Sequence, residues 1–431
     1  MNFQDLSLHP LILRAIEEDG YKNPTPIQEQ AIPTLLQGKD MLGCAQTGTG
    51  KTAAFALPII HQILHYPNKG KNRKISAVIL APTRELALQI KENFDRYARK
   101  NHVKAVAVYG GMSKYNQIVK IKRGVDVLIA TPGRLLDLHQ MKVLDFSNVR
   151  HYVLDEADQM LDMGFIDDVN KISNLMPQVR QTMLFSATIP NSIEKLAKAL
   201  LKTPERLEIA PQNTPLETIT QKVFFVDTAN KIDLLALTLK KSDVTSALVF
   251  VRTKHHCDRV FKRLIQSGIK AGVIHGDKTQ SQRQNALMAF KTKKLQVLVA
   301  TDVAARGIDI DKLSHVINLD MPQTPETYIH RIGRTARAGA LGSAYSFCGN
   351  DERHLLKGIQ KHIGFQIPVE TDHPFHLSHE KRKQHQPHPQ GPKKSAKKNN
   401  HYTAFKPKKS SKKNAGSYAK KESYQRFAHQ N

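Results

Sequence analysis

Short apolar runs recur through most of the chain and constrain its fold more than any other feature. Each run has three to six residues, is rich in Val and Ile, and precedes a stretch long enough for a helix. This pattern is typical of parallel strands that are buried on both faces and joined by helical crossovers. The clearest runs are Met41–Ala45, Ala77–Leu80, Ala105–Tyr109, Val125–Ala130, Tyr152–Leu154, Met183–Phe185, Ala247–Val251, Gly272–Ile274, Val297–Ala300, His315–Leu319 and Ala344–Phe347. The sequence therefore predicts an α/β fold.

The runs fall into two groups of similar length, which predicts two domains. The pattern stops near Ile189 and resumes near Val223, and the prolines Pro204, Pro211 and Pro215 mark a linker between them. The predicted organisation is an N-terminal segment at 1–30, a first domain at 31–208, a linker at 209–218, a second domain at 219–370 and a basic tail at 371–431. Ligands of open parallel sheets bind beyond the carboxyl ends of the strands, so motifs at those ends are candidate sites.

The net charge of +27 predicts a polyanionic partner, and nucleic acid is the commonest one. The tail, 371–431, carries fifteen Lys or Arg residues against three acids, with no Val or Ile and a single Leu. It cannot bury enough apolar surface to offset the entropy of ordering, so we expect it to be disordered. Its six aromatic residues suit loose binding of single strands by stacking, although a tail that only aids solubility has the same composition.

Several other classes of protein are disfavoured. No run approaches 18 apolar residues, and the N-terminus lacks the basic and apolar regions of a secretory signal. Cys44, Cys257 and Cys348 are too far apart in sequence for a zinc motif and indicate buried thiols in a reducing compartment. We therefore predict a cytoplasmic protein.

A glycine-rich loop follows the first apolar run and predicts a phosphate-binding site. Its residues are Ala45, Gln46, Thr47, Gly48, Thr49, Gly50, Lys51 and Thr52, and a helical stretch follows. In such a loop the backbone N–H groups turn inward, Lys51 reaches the terminal phosphates and the Thr52 hydroxyl can ligate Mg2+. Ala45 departs from the general pattern, which has glycine there.

Two carboxylates follow the run Tyr152–Leu154, and they predict the catalytic half of the same site. Asp155 and Glu156 begin the sequence Asp-Glu-Ala-Asp. A carboxylate at the end of an apolar strand is costly unless a cation is near, and Mg2+ with a phosphate supplies one. We expect Asp155 to hold the metal, directly or through water, and Glu156 to orient and deprotonate the attacking water.

The sequence Asp-Glu-Ala-Asp, following such a loop, resembles the DEAD-box RNA helicases. The resemblance covers residues 1 to about 370 and implies two tandem RecA-like domains with ATP and Mg2+ as cofactors. The Ala45 departure is the form that this family uses. Phe3 and the block Gly20–Gln28 resemble the family's adenine-reading motif, which implies that Gln28 bonds the adenine edge and that an aromatic, Phe3 or Tyr21, stacks on its face.

Further blocks resemble the RNA-facing and coupling motifs of the family. The implied RNA-binding residues are Pro82, Thr83, Arg84, Gly111, Thr131, Pro132, Gly133, Arg134, Arg252, Thr253, Gln280, Arg283 and Thr301. Residues implied to couple hydrolysis to strand separation are Asp158, Ser186, Thr188 and His330. Backbone amides, hydroxyls and guanidinium groups at one rim of a sheet are suited to gripping phosphates.

The block His330–Arg337 is similar to the family's arginine-finger motif. By resemblance, Arg334 and Arg337 reach the γ-phosphate held by the first domain, and Asp309 contacts the ribose or the metal. Because the two arginines are three residues apart, we expect a helical turn to aim both from one face. Many relatives carry glycine where this chain has Ala336, and we expect the methyl group to be tolerated.

Together these features predict an RNA-dependent ATPase that remodels single-stranded and duplex RNA without sequence specificity. Alternatives are a passive RNA chaperone, against which the intact catalytic residues argue, a transporter ATPase, which the adenine motif disfavours, and a DNA helicase. The short core and basic tail are similar to bacterial RhlE-type members. We expect a monomer that acts on ribosomal or RNA-degradation complexes, and ribosome assembly, RNA decay and growth in the cold are all compatible with the sequence.

Overall fold

The apolar runs of the first half form a parallel sheet of seven strands. In the computed structural model, which describes residues 1–46, 48–66, 73–209, 219–305, 313–336 and 342–377, the strand order is β3-β4-β2-β5-β6-β1-β7. The strands are β1 (Met41–Cys44), β2 (Ala77–Leu80), β3 (Ala105–Val108), β4 (Val127–Ala130), β5 (His151–Leu154), β6 (Gln181–Ser186) and β7 (Glu205–Glu208). All pairs are parallel, so every strand ends at the same edge.

Helices cover both faces of this sheet. They are α1 (Pro10–Glu18), α2 (Pro26–Leu36), α3 (Lys51–His65), α4 (Arg84–Tyr97), α5 (Lys114–Lys122), α6 (Pro132–Gln140), α7 (Ala157–Asp162), α8 (Ile166–Leu175) and α9 (Asn191–Leu200). The two faces hold separate apolar clusters, one with Phe55 and Phe185 and the other with Tyr152 and Met160. Phe3, in a 3-10 helix, packs into the first cluster, so the N-terminal segment is part of this lobe.

The second half repeats the plan with a parallel sheet of six strands in the order β10-β11-β9-β12-β13-β8. The strands are β8 (Ile219–Phe225), β9 (Ala247–Phe250), β10 (Ala271–Ile274), β11 (Val297–Ala300), β12 (His315–Asn318) and β13 (Gly342–Cys348). The helices are α10 (Lys231–Leu239), α11 (Lys254–Gln266), α12 (Gln280–Lys291), α13 (Asp302–Ala305), α14 (Pro325–Ile332) and α15 (Arg353–Ile363), with 3-10 helices at Thr228–Asn230 and Asn350–Glu352. We call the two halves the first and second lobes.

This architecture confirms the predicted fold class. The predicted strands are all present, with ends shifted by one or two residues. β8 was indicated only by the resumption of the pattern near Val223, because buried residues alternate with exposed or partly exposed ones at its start. β7 was not predicted, because only Leu207 of its four residues is buried and the strand carries no apolar run. It lies at the edge of the sheet, where polar residues are common.

The borders of the predicted linker and tail differ from the structure at both ends. Ile209, assigned to the linker, packs on the first lobe and its N–H donates to the Cys44 carbonyl. The linker residues 210–218 lie outside the described residues. The first seven residues of the predicted disordered tail instead pack on the second lobe: Leu377 N–H donates to Phe225 O and His373 contacts the Phe224 ring. Residues 378–431 lie outside the described part of the chain.

The three cysteines are free thiols, with Cys257 and Cys348 buried and Cys44 partly exposed. Burial raises the pKa of Cys257 and Cys348 to about 12. None of the described helices is both long and apolar enough to cross a membrane.

A buried lysine secures the second lobe. Lys231 Nζ lies 2.6 Å from Glu352 Oε2 and donates to the Leu319 carbonyl at 2.8 Å, and its side chain is 2% exposed. Replacing Lys231 with methionine should lower the free energy of unfolding of this lobe by about 3 kcal/mol, the low end for a broken buried pair, because Arg252 still reaches Glu352. Urea unfolding monitored on the second lobe measures this change.

The matched control for this variant is Lys222→Met. Lys222 pairs with Glu370 at 2.7 Å, but both side chains are partly exposed, and such a pair contributes about 1 kcal/mol or less. Equal losses of stability in the two variants would contradict the argument that burial makes the Lys231 pair important.

Candidate active site and RNA groove

The loop between β1 and α3 contains two glycines in a backbone conformation that favours glycine. Gly48 and Gly50 have φ of 85° and 94°, in the left-handed region that favours glycine. A Cβ atom at Gly50 would also collide with the amide of Gln28. Lys51, at the first turn of α3, is buried, and its Nζ donates to Ala45 O at 2.7 Å. Of the predicted loop residues, only Thr47 lies outside the described residues.

The predicted adenine-reading segment packs directly against this loop. Gln28 Nε2 donates to Gly50 O at 3.2 Å, and Gln28 Oε1 accepts from Thr25 N–H at 2.9 Å. Each end of the amide retains hydrogen-bonding capacity, so a base edge can still be read. Phe3 is only 2% exposed and meets the Tyr21 ring edge-on at 6.1 Å. Tyr21, which is partly exposed, is therefore the ring available for stacking, and Phe3 supports it.

The two carboxylates lie in a buried position at the end of β5. Burial raises the pKa of Asp155 and of Glu156, and the neighbouring Asp155 charge raises the pKa of Glu156 further. Lys51 and Arg334 oppose that increase at Glu156. Glu156 has φ of 56°, which costs a non-glycine residue about 1–2 kcal/mol. Strained backbone next to buried charge is characteristic of functional sites.

These carboxylates fit a divalent cation. Asp155 Oδ1 and Glu156 Oε2 are buried and have no hydrogen-bond partner in the described structure. A carboxylate oxygen buried without a partner is costly, and a cation removes that cost. Mg2+ commonly uses one or two protein oxygens and completes its shell with waters and phosphates. Asp155 is therefore a residue that would hold it, and the part of the Thr52 hydroxyl stays a prediction from the loop sequence.

Asp158 connects the carboxylate turn to the segment after β6. Its Oδ2 accepts from Ala187 N–H at 3.1 Å, Thr188 N–H at 3.0 Å and Thr188 Oγ1 at 3.2 Å. Ser186 Oγ donates to Thr188 O at 2.6 Å and accepts from Asp158 N–H at 3.3 Å. Three of the predicted coupling residues thus form one hydrogen-bond network, and the fourth, His330, lines the same cleft from the second lobe.

Arg334 of the second lobe faces this network. The cleft between the lobes is lined by Gln46, Glu156, Asp158, Gln159, Ala187, Thr188, Ile329, His330, Gly333 and Arg334. The predicted helical turn through the arginines is wrong, because α14 ends at Ile332 and Arg334 follows it in a turn, with Arg334 N–H donating to Arg331 O. Ala336 has φ of 53°, which gives a conformational reason for glycine there in relatives. Arg337 and Asp309 lie outside the described residues.

Arg331, three residues before Arg334, was not predicted to have a role. It is buried and forms a two-pronged ion pair with Asp302, with Nε–Oδ1 at 2.6 Å and Nη2–Oδ2 at 2.7 Å. It also donates to Asn318 Oδ1 and Asp320 O, and it stacks over Phe250. Arg331 therefore fixes the end of α14, from which Arg334 projects, to the strand ends of the second sheet.

A second groove lies between the lobes and collects many of the predicted RNA-binding residues. Its lining comprises Pro82, Thr83, Arg84, Glu85, Gly110, Thr131, Gly133, Arg134, Asp137, Met163, Phe165, Gly276, Arg283 and Val303. Gly111 adjoins it, and a Cβ atom there would collide with Arg84. Met163, Phe165, Gly276 and Val303 were not predicted, because an isolated apolar residue or glycine carries no signal for phosphate binding.

Other predicted RNA-binding residues have structural contacts instead of a place in this lining. Arg252 donates to Glu352 at 2.9 Å and is 45% exposed, and the Thr253 hydroxyl caps α11 through His256 N–H. Pro132 is buried at the first turn of α6, and Thr301 precedes α13 with a partly exposed side chain.

Four side chains join the lobes beside the groove. Glu85 Oε1 accepts from Gln280 Nε2 at 3.1 Å and pairs with Arg283 Nη2 at 3.0 Å, and Arg84 Nη1 lies 3.4 Å from Gln280 Oε1. Gln280 and Arg283 were predicted to bind RNA, and in this structure they bind the first lobe. The described conformation is therefore a closed one.

Two family models match the chain. The DEAD/DEAH box helicase model matches residues 25–196, and the Helicase conserved C-terminal domain model matches residues 230–339. Similar curated proteins include the DEAD-box ATP-dependent RNA helicase RhpA of Helicobacter pylori, 43% identical over 85% of this chain and 74% of the relative. The DEAD-box ATP-dependent RNA helicase CshA of Bacillus subtilis is 42% identical over 84% of this chain and 72% of its own.

The chain is also similar to solved structures of RNA-bound proteins. Dbp5 of S. cerevisiae bound to RNA and ADP BeF3 has a TM-score of 0.77 at 31% identity, covering 86% of this chain and 95% of that one. Mss116 bound to single-stranded RNA and UDP-BeF has a TM-score of 0.78 at 31% identity, covering 86% and 79%. Both similarities extend over the two lobes.

Proposed function

This chain belongs to the DEAD-box family of ATP-dependent RNA helicases, and we propose that its two lobes close on RNA when ATP binds and reopen after hydrolysis. It is an RNA-dependent ATPase that unwinds or remodels RNA. The observation that carries the proposal is the position of Arg334 of the second lobe, which lines one cleft with Glu156 of the first. Because neither lobe alone holds both residues, only the closed form supplies a complete site.

Each group in the cleft has a defined task in the proposed reaction. The loop amides and Lys51 hold the β- and γ-phosphates, and Gln28 and Tyr21 hold the base. Glu156 orients a water in line with the γ-phosphorus and accepts its proton, while Arg334 stabilises charge on the transferred phosphoryl group. Mg2+, held by Asp155 and Thr52, would neutralise charge on the β- and γ-oxygens.

Asp158 and Thr188 are suited to carry the state of the nucleotide to the RNA groove. The carboxylate turn is hydrogen-bonded through Asp158 to the segment after β6. A displacement of Glu156 or Asp155 would therefore move Ala187 and Thr188 as well. The groove residues Arg84 and Arg134 and the amides near Gly111 and Gly133 then grip one strand by its backbone. Gripping the backbone predicts little sequence preference.

The preference for RNA has a direct test. Single strands of RNA and DNA with the same sequence should be compared as activators of ATP hydrolysis, because contacts to 2′-hydroxyls distinguish the two. We expect stimulation by RNA and little by DNA. Equal stimulation by both would overturn the assignment of 2′-hydroxyl contacts and favour a helicase that does not discriminate.

The tail makes a separate contribution in this proposal. Truncation after Leu377 removes all fifteen basic residues assigned to the tail and keeps the segment that packs on β8. We expect weaker RNA binding and a shallower salt dependence, by roughly 0.7 in the log–log slope for each single-strand phosphate that the tail no longer neutralises. ATPase activity at saturating RNA should be retained. An unchanged slope would assign the tail to another partner.

For the biological role we propose only a class of RNA–protein complexes. A basic RNA helicase of this kind, acting as a monomer in the cytoplasm, suits work on ribosomal or RNA-degradation complexes. The assignment to the RhlE-type subgroup stays a prediction. Sequencing the RNA crosslinked to the protein in cells would identify its substrates.

A further inference from the structure

An exposed aromatic face lies at the rim of the RNA groove, on α5. Tyr115 is 73% exposed, more than any other Phe or Tyr among the described residues, and Met112, three residues earlier, is 40% exposed. All residues from Gly111 to Asn116 are exposed. Two large apolar side chains are therefore exposed in one turn at this end of the helix.

The same helix carries positive charge that no acidic group balances. Lys120, Lys122 and Arg123 are exposed, no ion pair involves them within the described residues, and the helix contains no acidic residue. Lys122 lies seven positions after Tyr115, two helical turns along the same face. The surface of Tyr115, Lys122 and Arg123, which we call the α5 face, thus combines an aromatic platform with a short basic track.

The base of the α5 face is tied to the groove. Lys114 Nζ lies 2.7 Å from Asp137 Oδ1, and Asp137 lines the groove. Arg134, another lining residue, donates to Met112 O at 3.2 Å and to Gln117 Oε1 at 3.0 Å. Because these contacts fix the first turn of α5, Tyr115 projects from a defined position at the end of the groove.

From this geometry we infer that the α5 face extends the RNA site: a base of the strand leaving the groove stacks on Tyr115, and its phosphates follow Lys122 and Arg123. An aromatic ring beside exposed cations is the arrangement that binds single strands without reading sequence. Continuity with a groove that takes a polyanion favours nucleic acid over a protein as the occupant. The inference rests on the proposed RNA groove and lengthens it.

The test measures how affinity depends on strand length. Labelled single-stranded RNAs that grow one nucleotide at a time are titrated with the full chain in ADP–beryllium fluoride, by fluorescence anisotropy. Parent and Tyr115→Ala should bind the shortest strands equally and diverge at the length that reaches the α5 face. Beyond that length the variant should bind about 5- to 150-fold more weakly, the range expected when one base–aromatic stack is removed.

Three variants make the result specific. Tyr115→Phe keeps the ring and should match the parent. Tyr66→Ala removes a tyrosine that is 67% exposed just after α3, beside Arg150 at the start of β5 and so away from the strand ends, and should have no effect. The double variant Lys122→Gln with Arg123→Gln should lower the salt slope for long strands by about 1.4, which corresponds to two single-strand phosphates.

Two results would overturn the inference. Equal binding of all lengths by Tyr115→Ala and the parent would show that the α5 face does not take RNA, which would leave a protein partner as its occupant. An equal loss for the shortest strands would place Tyr115 inside the groove itself. Failure of the proposed function is distinguishable, because the parent would then show no nucleotide-dependent RNA binding.

Discussion

Replacing Arg334 with alanine should lower the RNA-stimulated rate of ATP hydrolysis by about 10³-fold, the low end for an arginine finger, because Arg337 would remain. Arg334 is buried, lies in the cleft beside Glu156, and its positive charge opposes the rise in the pKa of that carboxyl. The effect should appear in kcat, since charge on the phosphoryl group develops only in the transition state. Steady-state kinetics at saturating RNA measure it.

Two further variants separate the effect of the guanidinium geometry of Arg334 from the effect of its charge and from a general loss of activity. Arg334→Lys keeps the charge but loses the planar fork of donors, so it should recover only part of the rate. Arg263→Ala removes an exposed arginine of the same lobe, paired with Asp233 at the surface, and should leave the rate unchanged. If Arg334→Ala kept the parental kcat, the shared catalytic site would have to be abandoned.

The strands and the loops after them could be predicted because a strand that is buried on both faces of a sheet needs a continuous run of apolar residues. The same reasoning failed at β7, an edge strand that buries only Leu207. It failed again after α14, where three-residue spacing suggested a helical turn through the arginines. There the helix ends at Ile332, and the left-handed φ of Ala336 is incompatible with a continued α-helix.

Contacts across the lobes had no signature in the sequence. Glu85 and Arg283 are almost two hundred positions apart, and the role in RNA binding predicted for Arg283 did not indicate a partner in the first lobe. Arg331 and Asp302 are similar: their ion pair exists only because the ends of α14 and β11 meet at one edge of the sheet. The motifs predict which groups react, whereas the residues that position them are seen only in the packing of the sheets.

Glu156→Gln should produce an enzyme that still closes on RNA but hydrolyses ATP about 10²- to 10⁴-fold more slowly, the usual contribution of a positioned base. Glutamine has the same side-chain length as glutamate, and the φ of 56° costs the two residues the same, so the turn should be retained. It can orient a water but cannot take its proton. Single-turnover hydrolysis of ATP on saturating RNA measures the loss.

Glu156→Gln is expected to lose ATP hydrolysis while it keeps ATP-dependent RNA binding. In the proposed cycle ATP still joins the lobes and only hydrolysis reopens them, so the variant should release RNA more slowly than the parent when ATP is present. Asp167→Asn, an equal change of charge at an exposed position of α8, should alter neither rate. Parental hydrolysis by Glu156→Gln would remove the general base from the mechanism. Loss of ATP-dependent RNA binding would instead mean that the Glu156 charge is needed for closure itself, since a buried carboxylate facing Arg334 also attracts the second lobe.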